Sequence, residues 1–159
     1  MRLVDFRFNY KRSTALNPST RMPILDTQTG KPIELFHPII PLIISSERKR
    51  SPPMEGLLDS GSDGVVIPRG VADYLQLDLR LAETPMRVAD GKSVVRYVSK
   101  AYLTIGRAGR FCEPIEAEVS VPAEGDPPLL IGRDPLFKLF IITFIDAEKR
   151  FEMRPYRPE

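Results

Sequence analysis

Cysteine and histidine are nearly absent: the 159 residues hold one of each, Cys112 and His37, and no tryptophan. A lone cysteine excludes an internal disulfide, and one histidine beside it cannot complete a four-ligand Cys/His zinc site. A Ser-His-Asp or Cys-His site would have to recruit His37, which sits in Phe36-His37-Pro38 within an apolar stretch and reads as packed or edge-exposed. No nucleophile-elbow pattern accompanies it. Walker and GxGxxG loops are missing too, so neither a cofactor nor a metal is expected.

Charge of one sign is equally scarce. Lys+Arg 23 against Asp+Glu 21 leaves +2, too little for a broad field that would hold a phosphate backbone, so nucleic acid is not an expected partner. No apolar run approaches the ~20 residues of a membrane span. Met1-Arg2-Leu3-Val4-Asp5 also lacks the apolar region of a signal peptide, so a cytoplasmic protein without a membrane partner is expected. Ten glycines and sixteen prolines stay below low-complexity proportions, and eight Phe with five Tyr can fill one core. The length predicts one domain, placed at 33–159 behind an N-terminal strand and loop extension at 1–32.

Alternation dominates what is present. Val4, Phe6, Phe8 and Tyr10 alternate with polar residues, the period of a half-buried strand. Residues 13–32 are turn-rich and read as a long loop. Ile33 to Ile44 is β-branched but interrupted by Pro38 and Pro41, which suits an edge or a bulge. Residues 45–53 read as an exposed charged turn, and 70–76 as a short helix. Met86 to Ser99 reads as a hairpin whose Asp90-Gly91 pair predicts a type I′ turn. Ile115 to Val121 alternates again, and Leu129-Leu130-Ile131 reads as a short buried strand. Asp134-Pro135 predicts a helix with Asp134 as N-cap and proline at the first position. A hairpin over 141–154 closes the chain. Roughly eight to ten strands and one or two short helices make the class all-β, with no internal repeat.

Between Leu57-Leu58 and Val65-Val66-Ile67 lies Asp59-Ser60-Gly61-Ser62-Asp63-Gly64. An EF-hand alignment fails, because Gly61 falls at an acidic position and Gly70 where a bidentate Glu belongs. Two readings remain. The loop is an ordinary Ser/Gly/Asp turn, or Asp59 is one member of a carboxylate pair that shares a proton across a symmetry axis and activates water.

The segment Leu57-Leu58-Asp59-Ser60-Gly61-Ser62-Asp63, followed by Val66-Ile67-Pro68, resembles the retropepsin-like aspartic protease family. Some seventy residues on, Leu129-Leu130-Ile131-Gly132-Arg133-Asp134 resembles its second landmark. The pattern is closest to single-domain prokaryotic members and covers about Ile39 to Met153. This resemblance implies a closed β-barrel with a flap hairpin and a two-fold homodimer acting on peptide or unfolded protein. It implies that Asp59 is the catalytic aspartate, that the Ser60 hydroxyl cross-bonds the two loops, and that Gly61 presents its carbonyl to substrate. It also implies an Asp63–Arg133 ion pair within one subunit that supports the loop. Ala89, Asp90, Gly91 and Lys92 fall at the flap tip as candidate substrate contacts, with one glycine where viral members use several. The competing expectation is a non-catalytic dimeric barrel that binds a peptide or protein partner.

Overall fold

Period-two patterning becomes strand along most of the chain, because side chains of an extended backbone point to alternate faces. A computed structural model describes residues 1–158. In chain order the elements are β1 (Phe6–Asn9), β2 (Lys11–Thr14), β3 (Glu34–His37), β4 (Ile39–Ser45), β5 (Met54–Leu58), β6 (Val65–Val66) and α1 (Arg69–Tyr74). Next come β7 (Arg80–Leu81), β8 (Met86–Arg87), β9 (Ser93–Val94), β10 (Arg96–Arg107), β11 (Arg110–Phe111), β12 (Ile115–Pro122) and β13 (Leu130–Ile131). The chain ends with α2 (Leu136–Leu139), β14 (Phe140–Ile145) and β15 (Arg150–Pro155).

Six strands close into a barrel in the order β10-β12-β6-β13-β5-β4, and β4 returns to β10. The long β10 makes this possible, since it pairs with β12 over its first part and with β4 through Tyr102–Ile105. Two pairings are parallel, β12 with β6 and β13 with β5. Ile40, Leu42, Ile44, Ala101, Leu103, Ile105 and Ile131 fill the interior with essentially no exposure. Gly56 lies on β5 where a Cβ would stand 2.7 Å from Ile131, so a side chain there has no room. A second sheet, β1-β15-β14, packs beside the barrel. Its inner face stacks Phe6 on Phe8 and Phe8 against Phe151, at centroid separations of 5.3 and 5.4 Å.

The all-β class and closed barrel agree with the sequence reading; several local expectations do not. The strand count is higher, because a two-residue strand such as β11 carries too little pattern to be seen. Ile33 to Ile44 breaks at Pro38 into β3 and β4, and Pro41 sits in the part of β4 that is bonded on one side alone. The hairpin near Asp90 is not type I′. Gly91 takes positive φ (83°) while Asp90 does not, the Gly91 amide donates to Val88, and Val88 donates to Lys92, giving a three-residue loop. Helix α2 begins at Leu136 with Pro135 at its cap position; Asp134 does not cap it, because its amide donates to the Asp63 carbonyl and its carboxylate pairs with Lys138.

Residues 13–32 are turn-rich beyond β2, as expected, but the absence of an internal repeat is corrected there. Leu16-Asn17-Pro18-Ser19-Thr20-Arg21-Met22-Pro23-Ile24 is followed directly by Leu25-Asp26-Thr27-Gln28-Thr29-Gly30-Lys31-Pro32-Ile33, a nine-residue tandem repeat. Both copies fold alike. Asn17 Oδ1 accepts the amides of Ser19 and Thr20, and Asp26 Oδ1 those of Gln28 and Thr29. Arg21 and Gly30 both take left-handed φ, 60° and 68°, and Leu16 bridges Pro23 as Leu25 bridges Pro32. The copies join in a closed triangle: Ala15 donates to Ile33, Ile33 to Ile24, and Ile24 to Ala15, each at 2.9 Å. With the β2–β3 stem as its third leaf, the arm is a three-leaved plate. The repeat escapes a search for hydrophobic periodicity because its apolar positions recur every nine residues, a spacing that matches neither strand nor helix.

Candidate active site

Asp59 directly follows β5, and residues 60–64 lead to β6. Because β13 lies between those two strands in the sheet, this connection must cross the C-terminal end of β13, where the chain continues as Gly132-Arg133-Asp134. Backbone hydrogen bonds fix the crossing. The Asp59 amide donates to the Ile131 carbonyl at 3.0 Å. The amides of Gly132, Arg133 and Asp134 then donate to the carbonyls of Gly64, Ser62 and Asp63 at 3.0, 2.8 and 2.8 Å. Two sequence landmarks seventy residues apart thus meet as one main-chain clasp.

Inside the loop, Asp59 Oδ1 accepts the Gly61 amide at 2.8 Å, and the Ser62 hydroxyl donates to the Gly64 carbonyl at 3.0 Å. The half-buried Asp59 carboxylate is therefore oriented through one oxygen, while Oδ2 accepts no hydrogen bond among the described residues. Ser60 and Gly61 are exposed beside it. Arg133 Nη2 and Asp63 Oδ1 form an ion pair within the chain, but both side chains are mostly solvent-exposed. Such a pair contributes little to stability, and the amide bonds of 132–134 hold the loop independently of it.

The tip residues Ala89, Asp90, Gly91 and Lys92 are all exposed and make no hydrogen bond or ion pair with the Asp59 loop in the single chain. The tip is braced by itself: Asp90 Oδ1 accepts the Lys92 amide at 2.9 Å, and Lys92 Nζ lies 3.1 Å from Asp90 Oδ2. These contacts hold the Asp90 carboxyl below the usual carboxylate range, the Lys92 amide being the largest cause. Sequence reasoning missed Arg96, which ties the base of this hairpin to the barrel. Its Nη1 donates to the buried Ser120 hydroxyl at 2.7 Å and its Nε to the Thr84 carbonyl at 3.1 Å. No pattern in the chain marks it, since the link depends on β10–β12 register.

No group of three or more His, Cys, Asp and Glu side chains converges as a metal site among the described residues. No helix there is long and apolar enough to cross a membrane. A cleft of about 640 Å³ opens between β1 and the β10–β11 turn, walled by Phe6, Phe8, Arg107 and Arg110; it does not include Asp59. In the single chain, Asp59 stands at an open surface.

No protein-family model and no curated protein matches the chain. Solved structures are similar to it, two of which follow. The EIAV protease complexed with the inhibitor HBY-793 is 25% identical, with a TM-score of 0.45 over 65% of this chain and 88% of that one. A retropepsin-like aspartic protease from Rickettsia conorii is 11% identical, with a TM-score of 0.49 over 92% of this chain and 95% of that one.

Proposed function

We propose that the protein is an aspartic endopeptidase that works as a two-fold homodimer, with one Asp59 from each chain at the shared site. The observation that carries this reading is the state of Asp59: one carboxylate oxygen anchored by its own loop, the other free, on a backbone clasp open to solvent. A chain with one Asp-Ser-Gly loop holds half of a carboxylate pair, and an isologous contact supplies the other half.

Two carboxylates in close approach share one proton. The ionised member takes a proton from water as the water oxygen attacks the peptide carbonyl carbon; the protonated member hydrogen-bonds the carbonyl oxygen. Collapse of the tetrahedral adduct breaks the C–N bond, and the departing amine takes up a proton. In this reading Ser60 joins the two loops, the Gly61 carbonyl meets substrate, and residues 89–92 close over an extended peptide that adds as a strand.

The self-braced tip, with one glycine and an internal Asp90–Lys92 pair, favours a second reading: a dimeric barrel that binds a peptide without cutting it. Denatured casein, incubated with the wild type and with Asp59→Asn across acidic to neutral pH, separates the two. The endopeptidase reading expects cleavage that falls by at least about 10²-fold in Asp59→Asn. Absence of cleavage by the wild type, or equal cleavage by both proteins, overturns it.

A further inference from the structure

The three-leaved arm has no partner within its own chain. Leu16 and Leu25, equivalent in the two repeats, are 44% and 54% exposed, and Ile24 and Ile33 are 40% and 37% exposed. Met22, at 65%, extends the same surface. A plate one backbone thick has no interior in which to bury such side chains, and isolated hairpins of this size are marginal in water. Apolar residues repeated at equivalent positions of the two copies are thus surface features that something else covers.

We infer that the cover is a second copy of this chain, and that the arm is a clasp laid across the partner beside the Asp59 loop. The choice of occupant rests on the endopeptidase reading, which requires a second copy at that place. Where the arm leaves the barrel supports it: the Pro38 carbonyl, one residue beyond the stem, accepts the Leu58 amide at 2.9 Å, and Leu58 precedes Asp59. The stem also touches the body at Lys11–Glu55, and Lys149 lies 5.3 Å over the Phe36 ring. That second contact joins the arm to the β14–β15 hairpin, where β14 is a free sheet edge with Ile141 and Phe144 exposed.

Charge is consistent with the same occupant. Residues 11–37 carry four basic and two acidic side chains, so the whole net charge of +2 resides in the arm and the rest of the chain is neutral. Arg21 and Lys31 project from the two repeat turns, and the exposed Glu124-Gly125-Asp126 loop of the barrel offers carboxylates of opposite sign.

The test removes the arm without cutting the barrel. Replacing residues 15–33 by Asn-Gly joins Thr14 to Glu34, which already face each other across the β2–β3 ladder, through a two-residue turn. Sedimentation equilibrium should show a dimer dissociation constant at least about tenfold weaker than that of the full chain, with an unchanged circular dichroism spectrum. The full-length double variant Leu16→Asp, Leu25→Asp should weaken association in the same direction; both sites are exposed, so the barrel stays folded. A photo-crosslinker on Met22→Cys, in a mixture of isotopically light and heavy chains, should join light to heavy. Cys112, buried, does not compete for the label. Unchanged association in both variants, or crosslinks confined to one chain, overturns the clasp. Cleavage assays on the same samples keep the two claims apart. Asp59-dependent cleavage by an armless protein that still dimerises refutes the clasp alone. An arm-dependent dimer that cleaves nothing refutes the endopeptidase alone.

Discussion

The Gly132 amide donates to the Gly64 carbonyl at 3.0 Å, and the two backbones approach so closely that position 132 has no room for a side chain. A Cβ there would stand 2.5 Å from the Ser62 carbonyl oxygen. Both opposing atoms are backbone and cannot rotate away. Gly132→Ala should therefore destabilise the chain by about 1–3 kcal/mol through overpacking. Cleavage per folded molecule should fall as well, because the displaced loop is the one that aims Asp59. Urea unfolding midpoints and casein cleavage check this; a variant with wild-type stability would show that the clasp is looser than described.

Arg133 makes the opposite prediction from its neighbour. Its ion pair with Asp63 lies in solvent, so Arg133→Ala should shift stability by no more than about 1 kcal/mol, and added salt should narrow the difference further. A loss well beyond that in urea melts would mean that the side chain, and not the amides of 132–134, holds the loop.

How much was legible in the sequence follows from where the information sits. The barrel strands were readable because Ile115, Ala117, Val119 and Val121 alternate over a length that periodicity can detect. That the Asp59 loop meets Gly132-Arg133 was expected from the resemblance alone, through an Asp63–Arg133 ion pair; the main-chain bonds of 132–134 were not legible, since backbone amides carry no residue identity. Nor was the arm, since its order comes from Asx turns at Asn17 and Asp26 and from a three-way hydrogen-bond ring, none of which has a hydrophobic period. Arg96 was hidden for a different reason. Its partners Thr84 and Ser120 are twelve and twenty-four residues away, and only strand register brings them together.

Acid should weaken the fold through carboxyls that the folded state holds ionised. Hydrogen bonds from Arg150, then the nearby Arg150 and Arg7 charges, hold the Glu152 carboxyl below its ordinary 4.5, and the Thr29 and Gln28 amides do the same for Asp26. A carboxyl depressed in the folded state contributes stability above its unfolded value and loses it as pH falls through the folded one. Thermal melts of the wild type should therefore drop as pH falls below about 4.5, and Glu152→Gln should flatten that drop. A parallel decline in both proteins would remove Glu152 from the account.

Cys112 should be silent in the folded protein. Its thiol is buried, burial pushes it up from the ordinary thiol range, and its sulfur accepts the Ile105 amide at 3.2 Å. Thiolate is the reactive form, so a thiol reagent at neutral pH should label the chain only after unfolding. Rapid labelling of the native protein would show that β10 and the segment after β11 separate readily.

Arg96 is expected to act as a positioning residue for the hairpin at 86–94, and its role can be separated from its contribution to stability. Arg96→Met leaves the Ser120 hydroxyl buried without its partner, which costs about 1–3 kcal/mol. Adding Ser120→Ala removes the orphaned group and should restore most of the stability. It cannot restore the link to the Thr84 carbonyl, so the hairpin base stays loose. Amide exchange at residues 88–93 should then remain faster in the double variant than in the wild type, and KM for peptide should rise more than kcat falls. If the double variant recovers wild-type exchange together with wild-type stability, Arg96 serves the barrel alone and the hairpin base is held by the backbone bonds from Ala82 to Arg96 and from Ala123 to Val95.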